Sequence, residues 1–300
     1  MKNKKLKIYF ADFWLNFKLE DNYFFHLLKT KYDVVISPDN PDILFYSVDY
    51  LGKSEYKKYK SKNIKKIFFT GENKKPNYEI SDYSFSFEES NDKNYRLPLW
   101  VTYIDWFNST KDKKRDPSFL IPLEKLTSKR SLNLLRNPFF CSFIASKPMG
   151  KRTSFVPQLN ERKKVHCLGN LYSNSYMKIS GRGDQKKKID IMKLFKFNIA
   201  FENEISDGYV TEKILHSLYA NTIPIYWGTS HVKNDFNDKA FIYFNDFESD
   251  EELIERIFEV SNNKKEIRKY LDEPIFKNNE IPDFAKPHNV LKFLTNIIES

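Results

Sequence analysis

The chain is poor in the residues that loosen or staple a fold. Only 8 of its 300 residues are glycine, which excludes a Gly-rich linker or low-complexity tract. Its two cysteines, Cys141 and Cys167, lie in apolar strand-like runs without metal-type spacing. Two thiols make no disulfide framework, so buried, reduced cysteines are expected. The five histidines (His26, His166, His216, His231 and His288) are scattered, and no cluster has metal-ligand spacing. No run reaches the roughly 18 apolar residues of a membrane span. Residues 6–13 are broken by Lys7 and Asp12 and read as a first strand rather than a signal peptide. A cytoplasmic protein is expected, in which Asn108-Ser109-Thr110, a glycosylation-type tripeptide, would be silent.

Aromatics are plentiful, with 27 Phe and 18 Tyr, so one large or two medium cores can form, and the composition argues against disorder. The net charge of +10 attracts phosphates, nucleic acid or anionic lipid. No nucleic-acid recognition motif accompanies it, so no nucleic-acid partner is expected. The run Lys186–Lys188 is read either as a solvated face or as a peripheral contact with an anionic membrane. Arg182-Gly183-Asp184 is read as a chance tripeptide.

Short apolar runs alternate with helical patterns. Strands are expected at 6–13, 33–37, 42–48, 65–70 and 83–87, with helices at 21–29 and 54–60. Periodicity fades over 108–136, read as a linker or an excursion between two domains. The pattern then restarts with strands at 139–146, 164–168, 197–203, 222–227 and 240–244. Helices are expected at 151–162 (where Pro157 should kink or end the helix), 190–196, 211–220, 251–262 and 290–299. This predicts an α/β protein of two Rossmann-like domains with parallel sheets, 1–125 and 126–300, facing a central cleft. Ligands bind beyond the C-terminal ends of such strands, which directs attention to the segments after Phe69, Ile144, Ala200 and Ile225.

The most informative stretch is 197–228. A buried strand ends in Glu202-Asn203, a polar loop holds Gly208, and a helix starts at Thr211, a good N-cap residue. Its N-terminus is a ready anion site. Lys213 in the first turn opposes the helix dipole, a conflict that an incoming phosphate would resolve; the alternative is a solvated lysine. Arg152, after the strand at 139–146, offers a planar fork of donors to a diphosphate, or is a surface residue. No Asp-x-Asp motif is present to hold a divalent ion, so protein cations are expected to stabilise the leaving group and no cofactor is required. Glu72, in Phe68-Phe-Thr-Gly-Glu-Asn73, is read either as a turn-capping carboxylate or as a general base. Trp100, Tyr103 and Trp106 either stack on an acceptor sugar or pack in the core.

At these residues the sequence resembles the α1,3-fucosyltransferase family, glycosyltransferase family 10. The resemblance runs through Phe201-Glu-Asn203, Tyr209-Val-Thr-Glu-Lys213, Thr222-Ile-Pro-Ile-Tyr-Trp-Gly228, Asp235-Phe-Asn237 and Ala240-Phe241. Upstream it takes in Phe69-Thr-Gly-Glu-Asn73, Tyr95-Arg-Leu-Pro-Leu-Trp100 and Phe143-Ile-Ala-Ser146. It implies a GT-B fold, an N-terminal acceptor domain, and a C-terminal domain for GDP-fucose. It also implies inverting transfer to a hydroxyl of a GlcNAc-containing, lactosamine-type acceptor. By the same resemblance Glu72 is the base, and Arg152 and Lys213 grip the diphosphate. Asn203, Tyr209 and Glu212 contact the donor, with Glu212 serving the ribose or the oxocarbenium-like sugar and so counted with Glu72 as catalytic. The alternative reading is a GT-B transferase with another nucleotide-sugar. The chain departs from many relatives in the single Gly of Cys167-Leu-Gly-Asn170, where they have a Gly-rich loop. Neither the heptad repeats and basic tail of many bacterial relatives nor the Golgi anchor of animal ones is expected from the residues given. The oligomeric state is left open.

Overall fold

The computed structural model describes residues 4–109, 114–130, 137–179 and 184–300. The tripeptide at 182–184, the glycosylation-type tripeptide at 108–110 and the expected linker at 108–136 fall partly outside them. Two compact units emerge: Met1–Leu120 with Asp283–Ser300, and Ile121–Pro282.

The first unit is built on a parallel sheet of β1 (Lys5–Ala11), β2 (Asp33–Ile36), β3 (Ile43–Tyr46), β4 (Lys65–Phe69), β5 (Tyr83–Ser86) and β6 (Asn94–Arg96), in the order β2-β1-β3-β4-β5-β6. Along β1, Leu6, Ile8 and Phe10 are buried while Lys5 is exposed, the period-2 pattern of a strand with a core face. Helix α1 (Tyr23–Lys29) is capped by Asn22, whose side chain accepts from the Phe25 N–H at 3.0 Å. Its Phe24 stacks on Phe45, centroids 4.9 Å apart, and meets Phe69 edge-on at 5.1 Å. The helix expected at 54–60 is a 3-10 stretch, Glu55–Tyr59, whose first N–H groups, of Glu55 and Tyr56, donate to the Asp12 carboxylate at 2.7 and 2.8 Å. Strand β6 was not expected. Asn94 lies buried because Ser84 and Ser86 donate to its Oδ1 and its amide donates to two backbone carbonyls. Trp100 and Tyr103 are buried, so packing accounts for them.

The second unit carries the parallel sheet β7 (Phe139–Phe143), β8 (Val165–Cys167), β9 (Phe195–Phe201), β10 (Ile223–Trp227) and β11 (Ile242–Tyr243), ordered β8-β7-β9-β10-β11. Helices α2 (Arg152–Arg162), α3 (Gln185–Met192), α4 (Glu212–Tyr219), α5 (Asp250–Asn262) and α6 (Lys264–Leu271) belong to it. Helix α2 runs through Pro157 rather than ending there; Phe155, Val156 and Leu159 are buried, and their packing offsets one missing hydrogen bond. Helix α3 begins five residues before the expected 190, because the Asp184 side chain caps it through the Lys187 N–H at 2.8 Å. The lysine run therefore sits on a helix. Cys141 and Cys167 are free and buried on adjacent strands. No helix among the described residues is long and apolar enough to cross a membrane.

The last helix, α7 (Pro287–Glu299), corrects the expected division at 125/126, which gave the whole C-terminal end to the second domain. Phe293 packs against Tyr83, Phe85 and Tyr95, the Tyr95 hydroxyl donates to the Phe284 carbonyl at 2.8 Å, and Lys31 pairs with Glu299 at 3.1 Å. The apolar face of α7 thus covers the aromatic edge of the first sheet.

Candidate active site

In the second unit the parallel register aligns Phe143 with Ile199 and Phe201 with Trp227, so the turns after β7, β9 and β10 emerge at one edge. The chain after β7 turns at Gly150, whose φ of +56° favours glycine; a Cβ there would lie 2.4 Å from the Trp227 ring. Two residues on, Arg152 opens α2 with only 4% of its surface exposed. One guanidinium nitrogen donates to the Phe201 carbonyl and to Asn203 Oδ1, both at 2.8 Å. Burial lowers its pKa, partly offset by Glu202 and Tyr209.

After β9, Glu202 is fully buried. Its carboxylate accepts from the Thr211 N–H at 2.8 Å, from the Thr211 hydroxyl at 2.8 and 3.0 Å, and from Lys213 Nζ at 2.7 Å. Thr211 is the N-cap residue as expected, but its hydroxyl serves Glu202 instead of capping α4. This carboxylate answers the conflict at Lys213: a buried anion already sits beside the cation at the positive end of the helix. The sequence showed Glu202 only as a strand end.

Glu212, in the first turn of α4, meets Lys188 Nζ of α3 at 3.7 Å, both side chains being mostly buried. Burial alone would raise the Glu212 pKa. The charges of Lys188 and Lys213, with its own backbone N–H, outweigh that and bring it down to about 2. Glu212 is therefore an ionised acceptor at neutral pH and cannot serve as a general acid. Lys188 also lies 3.2 Å from His216 Nδ1. His216 is held neutral first by burial and then by the lysines, so Nδ1 accepts and the proton sits on Nε2. Tyr209 is buried in the loop before α4. Arg152, Lys188 and Lys213 thus stand against Glu202 and Glu212 around one helix start, leaving one net positive charge. No group of three or more metal-ligating side chains occurs among the described residues.

In the first unit, Glu72 lies partly exposed on the turn after β4. A Cβ on Gly71 would sit 2.9 Å from Leu99 side-chain atoms, so glycine lets this turn lie against the neighbouring segment. The Glu72 N–H donates to Thr70 Oγ1 at 3.1 Å, and Tyr50 Oη lies 3.2 Å from that same hydroxyl.

Two units of parallel α/β structure, one with a cation-lined helix start at the C-terminal edge of its sheet, match the GT-B fold class. Two family models match: glycosyltransferase family 10 (fucosyltransferase) C-term over residues 138–277, and the alpha-(1,3)-fucosyltransferase FucT N-terminal domain over 8–103. The alpha-(1,3)-fucosyltransferase FucT of Helicobacter pylori is 30% identical over 286 residues, covering 84% of this chain. The chain spans 56% of that relative's length. A crystal structure of alpha1,3-fucosyltransferase superposes with a TM-score of 0.77 at 25% identity, covering 99% of this chain and 91% of the other. One solved with GDP superposes at 0.73 and 25% identity, with the same coverages. The chain belongs to glycosyltransferase family 10, the fucosyltransferases.

Proposed function

We propose that the protein transfers L-fucose from GDP-β-L-fucose to O3 of N-acetylglucosamine in a lactosamine-type acceptor, with inversion and without an essential divalent metal. One observation carries the donor half of this reading: Arg152, Asn203, Glu212 and Lys213 converge on the start of α4, at the sheet edge where α/β proteins take nucleotides. The GDP complex of a structural relative supports the same donor class. Lys213 and Arg152 neutralise the departing diphosphate. Glu212, ionised throughout the neutral range, accepts hydrogen bonds from donor hydroxyls or faces positive charge building on the sugar.

In the transfer step the acceptor oxygen bonds to the anomeric carbon as the bond to the diphosphate breaks. The acceptor proton passes to Glu72. Inversion requires that carboxylate on the ring face opposite GDP. Family membership and the position of Glu72 after β4 support this assignment.

The test is incubation with GDP-fucose and a panel of acceptors, followed by linkage analysis, with and without EDTA. α1,3-Fucosylated product formed in EDTA is the expected result. No transfer to any acceptor, with thermal stabilisation by UDP but not GDP, would replace the donor assignment.

A further inference from the structure

We infer that Lys188, on α3, is a positioning residue for donor binding that acts by fixing the Glu212 carboxylate. This rests on the reading of Glu212 as a donor contact. The run 186–188 is not one solvated face. Lys186 reaches outward to Asp190 at 2.6 Å, whereas the Lys188 side chain is only 15% exposed. Its ammonium turns inward between His216 Nδ1 and Glu212 Oε1, at 3.2 and 3.7 Å.

The geometry explains why a lysine is needed there. Glu212 occupies the first position of α4, mostly buried, where an ionised carboxylate without counter-charge is costly. Lys213, its neighbour, is already bound to Glu202 at 2.7 Å and cannot be given wholly to Glu212. Lys188 supplies the balancing charge from another helix, and His216, four residues further along α4, accepts a hydrogen bond from it that sets the direction of the lysine. The carboxylate is thereby held in one orientation before the donor arrives, which lowers the ordering cost of binding.

The test is a double-mutant cycle on the full chain with Lys188→Met and Glu212→Gln, read in two ways. In urea unfolding without nucleotide, the loss in the double variant should fall short of the summed single losses; additive losses would overturn the inference whatever the donor is. In GDP-fucose titrations, Lys188→Met should raise Kd about tenfold, and Lys188→Arg should return it to within about threefold. In the Glu212→Gln background, Lys188→Met should add nothing further. An unchanged Kd in Lys188→Met, or the same tenfold loss with Glu212 already replaced, would show that Lys188 does not work through Glu212. A wild-type chain that binds no GDP-fucose would remove the donor assignment instead, leaving the urea cycle to judge the contact.

Discussion

Glu72 and Glu202 both sit just past a buried parallel strand, one in each unit, and their surroundings differ in kind. Glu202 is sealed at 0% exposure with the N–H and hydroxyl of Thr211 and the ammonium of Lys213 converging on it. Glu72 is partly exposed, on a turn that Gly71 sets against Leu99 and that Thr70 anchors through a backbone N–H. A carboxylate locked among donors is a fixed counter-ion: it orders a helix start and a cation. A carboxylate at the surface of a braced turn stays open to an incoming molecule while its backbone is held in place. The same strand-end position is thus sealed in one unit and open in the other.

The comparison breaks most easily in the rate. Glu72→Gln should lower transfer by about a thousandfold, the range of a lost general base, while GDP affinity stays within a factor of two. Single-turnover kinetics with GDP titration would check this; full activity would remove Glu72 from the base role. Glu202→Gln should show the reverse pattern. It leaves Lys213, only 21% exposed, without its counter-charge, and should cost about 3 kcal/mol of stability in urea unfolding. Loss of activity without loss of stability would contradict its reading as a counter-ion. Arg152→Lys tests a residue next to Glu202 that keeps its charge but not its fork. Losing one of the bonds to the Phe201 carbonyl and Asn203 should cost about 1.5 kcal/mol and weaken GDP binding roughly tenfold, as read by calorimetry.

Much of this was legible in the sequence because hydrophobic period and order survive without tertiary knowledge. The alternation along β1, the apolar runs of β9 and β10, and the Thr211 boundary of α4 were all readable. What escaped reading depends on partners distant in sequence. Asn94 looks like a loop residue until Ser84 and Ser86 satisfy it. Lys188 looks like one of three surface lysines until α3 is seen against α4. The last helix carries an apolar stripe, but nothing in the stripe says that its partners are Tyr83, Phe85 and Tyr95, some 200 residues earlier. Glu202 showed its position and not its role, because a single carboxylate has no pattern.

The smallest expected effect concerns the protons held behind the locked side of the comparison. His216 is fully buried among Lys188, Lys213 and Glu212, with its pKa well below 6.5, chiefly through burial. Above that value the imidazole is neutral in both folded and unfolded chains, so it gives stability no pH dependence. As pH falls below about 6.5 the unfolded chain binds a proton that the folded chain refuses, and stability declines by up to about 1.4 kcal/mol per pH unit. Glu212 enters only lower down: its depressed pKa favours the folded state above 4.5, and that contribution is lost as pH falls toward about 2. Between roughly pH 6.5 and 4.5 the buried histidines therefore set the slope, His166 adding a share through its own lowered pKa. His216→Gln should flatten urea-unfolding stability across that window relative to wild type. An unchanged slope would mean that the site behind Glu212 admits a proton, and that Lys188 and Lys213 do not exclude positive charge from it.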